Sequence, residues 1–341
     1  MIYFDSDYMS GAVPEILERL KETNLLHFTG YGEDNICKTA KKKILDLCNA
    51  PTGNVYFLEG GTQTNVTVID YLIKRGEGVL AAETSHINVH EAGAIEFNGH
   101  KVIALPQENG KISAEQILNY HNEFYKDDTW PHMVNPAMVY ISFPTELGTI
   151  YSKSELTEIY NVCRQAGIPL YIDGARLAYG LASPGCDLTM EEIAHLCDIF
   201  YIGGTKCGTL FGEAIVTQHS DLLKHFNTHM KRHGALLAKG WLLGLQFDTL
   251  FTDNLYFKIG KQAVNLALKL KESMIRHGYQ AFIDSQTNQQ FFILPNEIID
   301  RLKSQISFEY WGPRGEKESK VRFVTSWATT EKDINRTLEL L

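Results

Sequence analysis

What constrains this chain most is a series of short apolar runs that lack polar alternation. They are Asn54–Leu58, Gly78–Ala82, Lys101–Leu105, Ala137–Ser142, Pro169–Asp173, Ile199–Ile202 and Glu213–Thr217. A strand with one face in water alternates apolar and polar residues, whereas a strand covered on both faces does not. Amphipathic stretches separate the runs. Several open with a hydroxyl residue followed three positions later by an acid or amide: Ser113 with Gln116, Ser152 with Glu155, Thr189 with Glu192. That spacing is a helix-starting capping box. Strands alternating with helices predict an α/β fold with a mostly parallel sheet covered on both faces.

The texture changes after about residue 220. Helical patterns run from Asp221 to Gly278 with a break near Asp253-Asn254, followed by short strands at Gln289–Leu294, Ile306–Trp311 and Lys320–Thr325. This predicts a large domain over 1–245 and a smaller C-terminal α+β domain over 246–341, in keeping with a length of 341 residues. The net charge of −9 leaves no basic stripe for nucleic acid. No apolar run approaches the roughly 20 residues that span a bilayer. Residues Met1 to Asp7 show no basic region followed by an apolar stretch, so a cytoplasmic location without membrane attachment is expected. The six cysteines form no Cys-x-x-Cys pair and lie at no zinc-finger spacing from histidine. Reduced thiols and no metal site are expected.

Three segments carry chemistry. Lys206 lies in the small-residue loop Gly203-Gly204-Thr205-Lys206-Cys207-Gly208, just after an apolar run. An enclosed lysine can be partly neutral and nucleophilic. Asp173 ends the preceding apolar run, in the crevice position where open α/β sheets bind ligands. Glu59-Gly60-Gly61-Thr62-Gln63 is a strand-to-helix turn whose amides suit an anion, with Gly61, Thr62 and Gln63 as the candidate phosphate ligands. A lysine for a Schiff base, an aspartate for a pyridinium nitrogen and amides for a phosphate are the parts that hold pyridoxal 5′-phosphate (PLP). His86, after Gly78–Ala82, is a candidate to stack on the pyridine ring. Arg176 is a candidate to contact the ring hydroxyl or to buttress Asp173.

The residues also point to a family. From about Phe4 to Thr330 the chain resembles the L-threonine aldolase group, low-specificity type, of the β-eliminating or aromatic-amino-acid lyase superfamily. The resemblance rests on Asp5-Ser6-Asp7, Tyr31-Gly32-Glu33-Asp34, Gly60-Gly61-Thr62, Ser85-His86-Ile87, Pro144-Thr145-Glu146-Leu147-Gly148-Thr149, Asp173-Gly174-Ala175-Arg176, Gly204-Thr205-Lys206 and Val321-Arg322-Phe323-Val324-Thr325, in that order. It implies PLP fold-type I, with a mixed, mostly parallel seven-stranded sheet. It also implies aldol cleavage of L-threonine, L-allo-threonine or related β-hydroxy-α-amino acids to glycine and an aldehyde. The implied roles are Lys206, His86 and Asp173 in catalysis, Arg176 near the ring oxygen, and Ser6 and Arg322 on the substrate carboxylate. Tyr31 would reach a neighbouring subunit's site and Lys239 a neighbouring phosphate, in a homodimer or homotetramer with shared sites. Relatives often carry Asn-Thr-His-Asn where this chain reads Ser142-Phe143-Pro144-Thr145-Glu146. That leaves Glu146, a bound water or His86 to take the hydroxyl proton. The same cofactor site could serve a β-eliminating lyase, an aminotransferase or a PLP-holding protein without turnover.

Overall fold

The computed structural model describes residues 1–341. Its strands are β1 (Ile2–Tyr3), β2 (Asn54–Leu58), β3 (Gly78–Ala82), β4 (Lys101–Leu105), β5 (Pro136–Ser142), β6 (Leu170–Asp173), β7 (Ile199–Gly203), β8 (Glu213–Thr217), β9 (Gln280–Ile283), β10 (Gln289–Pro295), β11 (Ile306–Ser307), β12 (Glu309–Tyr310) and β13 (Glu318–Val324). β2 to β8 form one seven-stranded sheet in the order β2-β8-β7-β6-β5-β3-β4. Only β8 runs against its neighbours, antiparallel to both β2 and β7. The carboxyl ends of β2 to β7 and the amino end of β8 therefore meet along one edge. The seven apolar runs are these seven strands, with ends shifted by a residue at most.

The lack of alternation has the expected cause. Leu80, Val139, Ile141, Ile172, Phe200 and Ile202 pack into one core, while Val79, Ala81, Tyr140, Tyr171, Ile199 and Tyr201 pack into the other. Successive residues of one strand feed opposite cores, so a polar residue at any of them would be buried. Truncating one such side chain, as in Ile172→Ala, costs about 2–5 kcal/mol. All three capping boxes form, at Ser113, Ser152 and Thr189.

The C-terminal half departs from the sequence reading in four places. The helical stretch after residue 220 breaks twice, giving Phe226–Arg232, Trp241–Leu250 and Leu255–Arg276. The second break is the expected one: Asp253 and Asn254 both adopt left-handed backbone, with φ of 50° and 58°. The run Ile306–Trp311 splits into β11, which pairs with β1, and β12, which joins the antiparallel sheet β12-β13-β10-β9. β1 and β9 are too short or too exposed to show in the hydrophobic pattern. Residue 245 falls inside the helix Trp241–Leu250, and core membership changes only within Leu255–Arg276, where Val264 packs with the large sheet and Leu266 with the small one. Phe4 also packs in the small core, so the first residues return to the C-terminal unit.

No helix is long and apolar enough to cross a membrane. All six cysteines are free, and only Cys186 is less than fully buried. Cys207, the neighbour of Lys206, is fully buried and packs in the large-sheet core, where burial pushes its thiol up.

Candidate active site

The common strand edge opens onto a cavity of about 220 Å³. Lys206, Asp173, His86, Gly61, Thr62 and Arg176 all line it. They arrive from the ends of four different elements. Asp173 ends β6, Lys206 follows β7, Gly61 starts the helix Gly61–Leu72 after β2, and His86 starts a short helix after β3. Close backbone packing brings them together. A Cβ on Gly203 would lie 2.2 Å from the Ala175 carbonyl oxygen, and one on Gly174 would lie 2.0 Å from that of Tyr201. Any side chain at either position would force the β6 and β7 ends apart.

Asp173 is buried yet ionised. Its Oδ2 accepts from the Tyr140 hydroxyl at 2.5 Å and from Asn65 Nδ2 at 3.1 Å, and its Oδ1 accepts from the Ala175 amide at 2.9 Å. Burial alone would raise its pKa, but hydrogen bonds from Tyr140 and Tyr201 outweigh it and hold the carboxyl below the usual range. Asn65 Nδ2 also donates to Glu91 Oε1 at 2.7 Å, and the same oxygen meets His86 Nδ1 at 2.8 Å. One amide and one acid thus fix the imidazole relative to Asp173.

Glu146 is buried opposite. Its Oε1 accepts from Ser142 Oγ at 2.7 Å and from the His86 amide at 2.9 Å. Burial raises its pKa, and the nearby Asp173 charge adds to this. Glu213, the first residue of β8, accepts from the Gly204 amide at 3.1 Å, and burial pushes its carboxyl up to about 8 despite Lys206 beside it.

Arg176 does not contact Asp173. Its Nε and Nη2 donate to the two carboxylate oxygens of Asp7 at 2.7 and 3.0 Å, and Asn288 Nδ2 also donates to Asp7 at 2.9 Å. Burial works to raise Asp7, but the Arg176 pair and Lys206 hold it low. Asp7 went unweighted in the sequence although it lies in the Asp5-Ser6-Asp7 segment. The singled-out neighbour, Ser6, is buried, does not line the cavity and has no hydrogen-bond partner on its hydroxyl. Glu91 and Glu213 were also missed. A carboxylate opening an otherwise apolar strand was the available signal for Glu213.

A second cavity of about 360 Å³ adjoins the first and shares Tyr8, His86, Glu146, Arg176 and Lys206 with it. Arg322 on β13 forms its far wall. The guanidinium lies over the Trp311 ring at 5.1 Å, donates to Gln289 Oε1 at 3.0 Å and pairs with Glu309. Its Nε is buried without a partner. Burial lowers its pKa, as does the nearby Arg176 charge.

Gln63 spends its side-chain carbonyl on the Glu59 amide at 3.4 Å and does not line the cavity. Tyr31 and Lys239 lie elsewhere in this chain. Tyr31 is 47% exposed, accepts the Lys231 ammonium over its ring at 4.5 Å and donates its amide to the Ala238 carbonyl. It and the exposed Lys239 belong to one surface patch.

The residues present fit PLP. Gly60 has no side chain to cap the helix Gly61–Leu72, which leaves the first amides of that helix free for an anion. Asp173 is a fixed anion deep in the cavity, and Lys206 is the amine beside it.

The family described as Beta-eliminating lyase matches residues 4–285. A low specificity L-threonine aldolase of Pseudomonas aeruginosa is 29% identical over 340 residues, covering 99% of this chain and 95% of the relative. The solved threonine aldolase of Leishmania major is 40% identical with a TM-score of 0.96, covering 100% of this chain and 98% of that one. A PLP-bound protein from Clostridium difficile 630 has a TM-score of 0.71 at 13% identity, covering 99% of this chain and 90% of that one. This last likeness shows the fold alone, PLP fold-type I.

Proposed function

Because the chain belongs to the β-eliminating lyase family, we propose that it cleaves L-threonine, L-allo-threonine or a related β-hydroxy-α-amino acid to glycine and an aldehyde. It is a PLP-dependent lyase. The observation that carries the reading is the convergence of Lys206, ionised Asp173 and the uncapped Gly61 helix on one cavity, with Arg322 across from them.

When bound, PLP supplies an electron sink for the pair left on Cα as the Cα–Cβ bond breaks. Lys206 would supply the amine that holds the cofactor. The amides of Gly61, Thr62 and Gln63 receive the phosphate. Asp173 keeps the pyridine nitrogen protonated, because its own hydrogen bonds keep it ionised. His86, oriented by Glu91, covers the ring. Arg322 binds the substrate carboxylate from the wall of the second cavity, and Arg176 keeps its geometry through Asp7. Glu146, which lines both cavities and whose carboxyl burial raises, accepts the β-hydroxyl proton. Ser6 acts by packing.

The protein works as a homodimer or homotetramer in the cytoplasm. Tyr31 and Lys239 serve a neighbouring subunit, which their place in one exposed patch outside this chain's own cavity supports. Refolding a Tyr31→Phe, Lys206→Ala mixture should restore activity through hybrids with one intact site; failure to restore it removes the shared-site reading. Product analysis with a panel of β-hydroxy amino acids tests the reaction. Glycine with an aldehyde is expected. A 2-oxo acid with ammonia (pyruvate in the case of serine), or an amino group left on the cofactor, would instead assign β-elimination or transamination.

A further inference from the structure

Outside the cavity, three histidines converge on one carboxylate. Asp70 lies in the last turn of the helix Gly61–Leu72. Its Oδ1 meets His100 Nε2 at 3.0 Å, and its Oδ2 meets His233 Nε2 at 2.9 Å. His229 Nε2 lies 3.4 Å from the same Oδ2. His229 and His233 stand one turn apart at the end of the helix Phe226–Arg232, with rings 4.5 Å apart. The four side chains are only 1–13% exposed.

His229 Nε2 is the atom that calls for an explanation. It is buried without a hydrogen-bond partner, where buried polar atoms ordinarily have one. It faces an oxygen that His233 already occupies. Bonds of about 2.0–2.1 Å to a tetrahedral ion separate its ligands by about 3.3 Å. The separations of 2.9 and 3.4 Å already approach that, and all three ligand atoms lie within 4.8 Å of one another.

We propose that Asp70, His229 and His233 bind a divalent first-row transition ion of the Zn²⁺ type, with His100 orienting the carboxylate from behind. Two imidazoles and one carboxylate suit such an ion over Mg²⁺ or Ca²⁺. A hydrogen-bonded carboxylate is the usual support of a ligand set. The ion ties the helix Phe226–Arg232, and the surface segment that follows it, to the helix whose first residues face the anion site.

The test uses the cofactor-loaded protein, stripped with a chelator and titrated with Zn²⁺ against a chromophoric competitor. One ion per chain should bind and raise Tm by several degrees, and Mg²⁺ should do neither. His229→Gln and His233→Gln should each weaken binding about 100-fold or more, and His100→Gln about 10- to 100-fold. X-ray absorption of the zinc-loaded native protein requires no variant to fold and should show two imidazole nitrogens. Absence of a stoichiometric site, sulfur ligation, or unchanged affinity in both folded His229 and His233 variants overturns the proposal. Binding is read without turnover, so the result is independent of the proposed reaction.

Discussion

On the large-sheet side of the cleft, the ionisable groups have their charge set by fixed buried neighbours. Asp173 is held ionised by Tyr140 and Tyr201, Asp7 by Arg176, and Glu213 is pushed toward the neutral form by burial. On the small-sheet side, Arg322 is held by one side chain from each flanking strand, Gln289 on β10 and Glu309 on β12, and still lines the open second cavity. The first arrangement suits a resident group whose electronics must not vary. The second suits a molecule that comes and goes. Damage to the first should therefore appear in cofactor capture and kcat, and damage to the second in KM.

The sharpest break is Lys206→Ala. Borohydride should fix the cofactor of the native protein to a single peptide containing Lys206. The variant should fold, take up no reducible cofactor and lose roughly 10⁴-fold or more in activity, the scale of losing a covalent nucleophile. A labelled peptide from elsewhere in the chain would refute the site. Next is Asp173→Asn, which should still bind cofactor but lose about 10³-fold in kcat, as when one buried electrostatic stabiliser is removed. Near-native turnover would mean that another residue holds the ring nitrogen. Arg322→Lys should raise KM by roughly 10- to 100-fold, keep most of kcat and leave the cofactor absorbance unchanged. A native KM for every amino acid tested would dissolve the contrast between the two sides.

The smallest effect concerns stability. Glu213 titrates at about 8 in the folded chain against an ordinary 4.5. Between those values the folded chain keeps a proton that the unfolded chain has released. This group's contribution to stability therefore falls as pH rises through that window. In the cofactor-free protein, the native chain should steadily lose stability relative to Glu213→Gln as pH rises through the window. Parallel unfolding curves across pH would show that the carboxyl is not buried as described.

The two sides also differed in how far the sequence revealed them. The seven runs predicted β2 to β8 to within a residue because both strand faces are buried, so the hydrophobic signal is continuous. Lys206, Asp173, Gly61 and His86 were legible because each directly follows or ends such a strand. Asp7 was not, since its importance comes from Arg176 and Asn288, far along the chain. Glu91 was hidden for the same reason: it acts through Asn65 and His86, and its own neighbourhood carries no periodic pattern. In the small unit, strands of two residues cannot declare themselves by periodicity. β1 and β11 exist because they pair with each other, and neither has a local signal strong enough to stand alone. The change of core within Leu255–Arg276 was equally invisible, as one continuous helix serves two cores.

The pairing of β1 with β11 also has a consequence for how the molecule is made. Ile2 meets Ile306 and Phe4 bonds to Ser307, while Asp7, three residues further on, neutralises Arg176. During synthesis Ile2 and Phe4 must wait, unpaired, for partners that lie far along the chain. Bringing segments so distant together carries a closure entropy that only a chain translated past residue 307 can offset. The large sheet can assemble while translation continues, but the strap across the cleft cannot. An early stop before residue 306 should therefore leave a compact chain with an unfinished site, an intermediate that a cell would have to shelter or degrade.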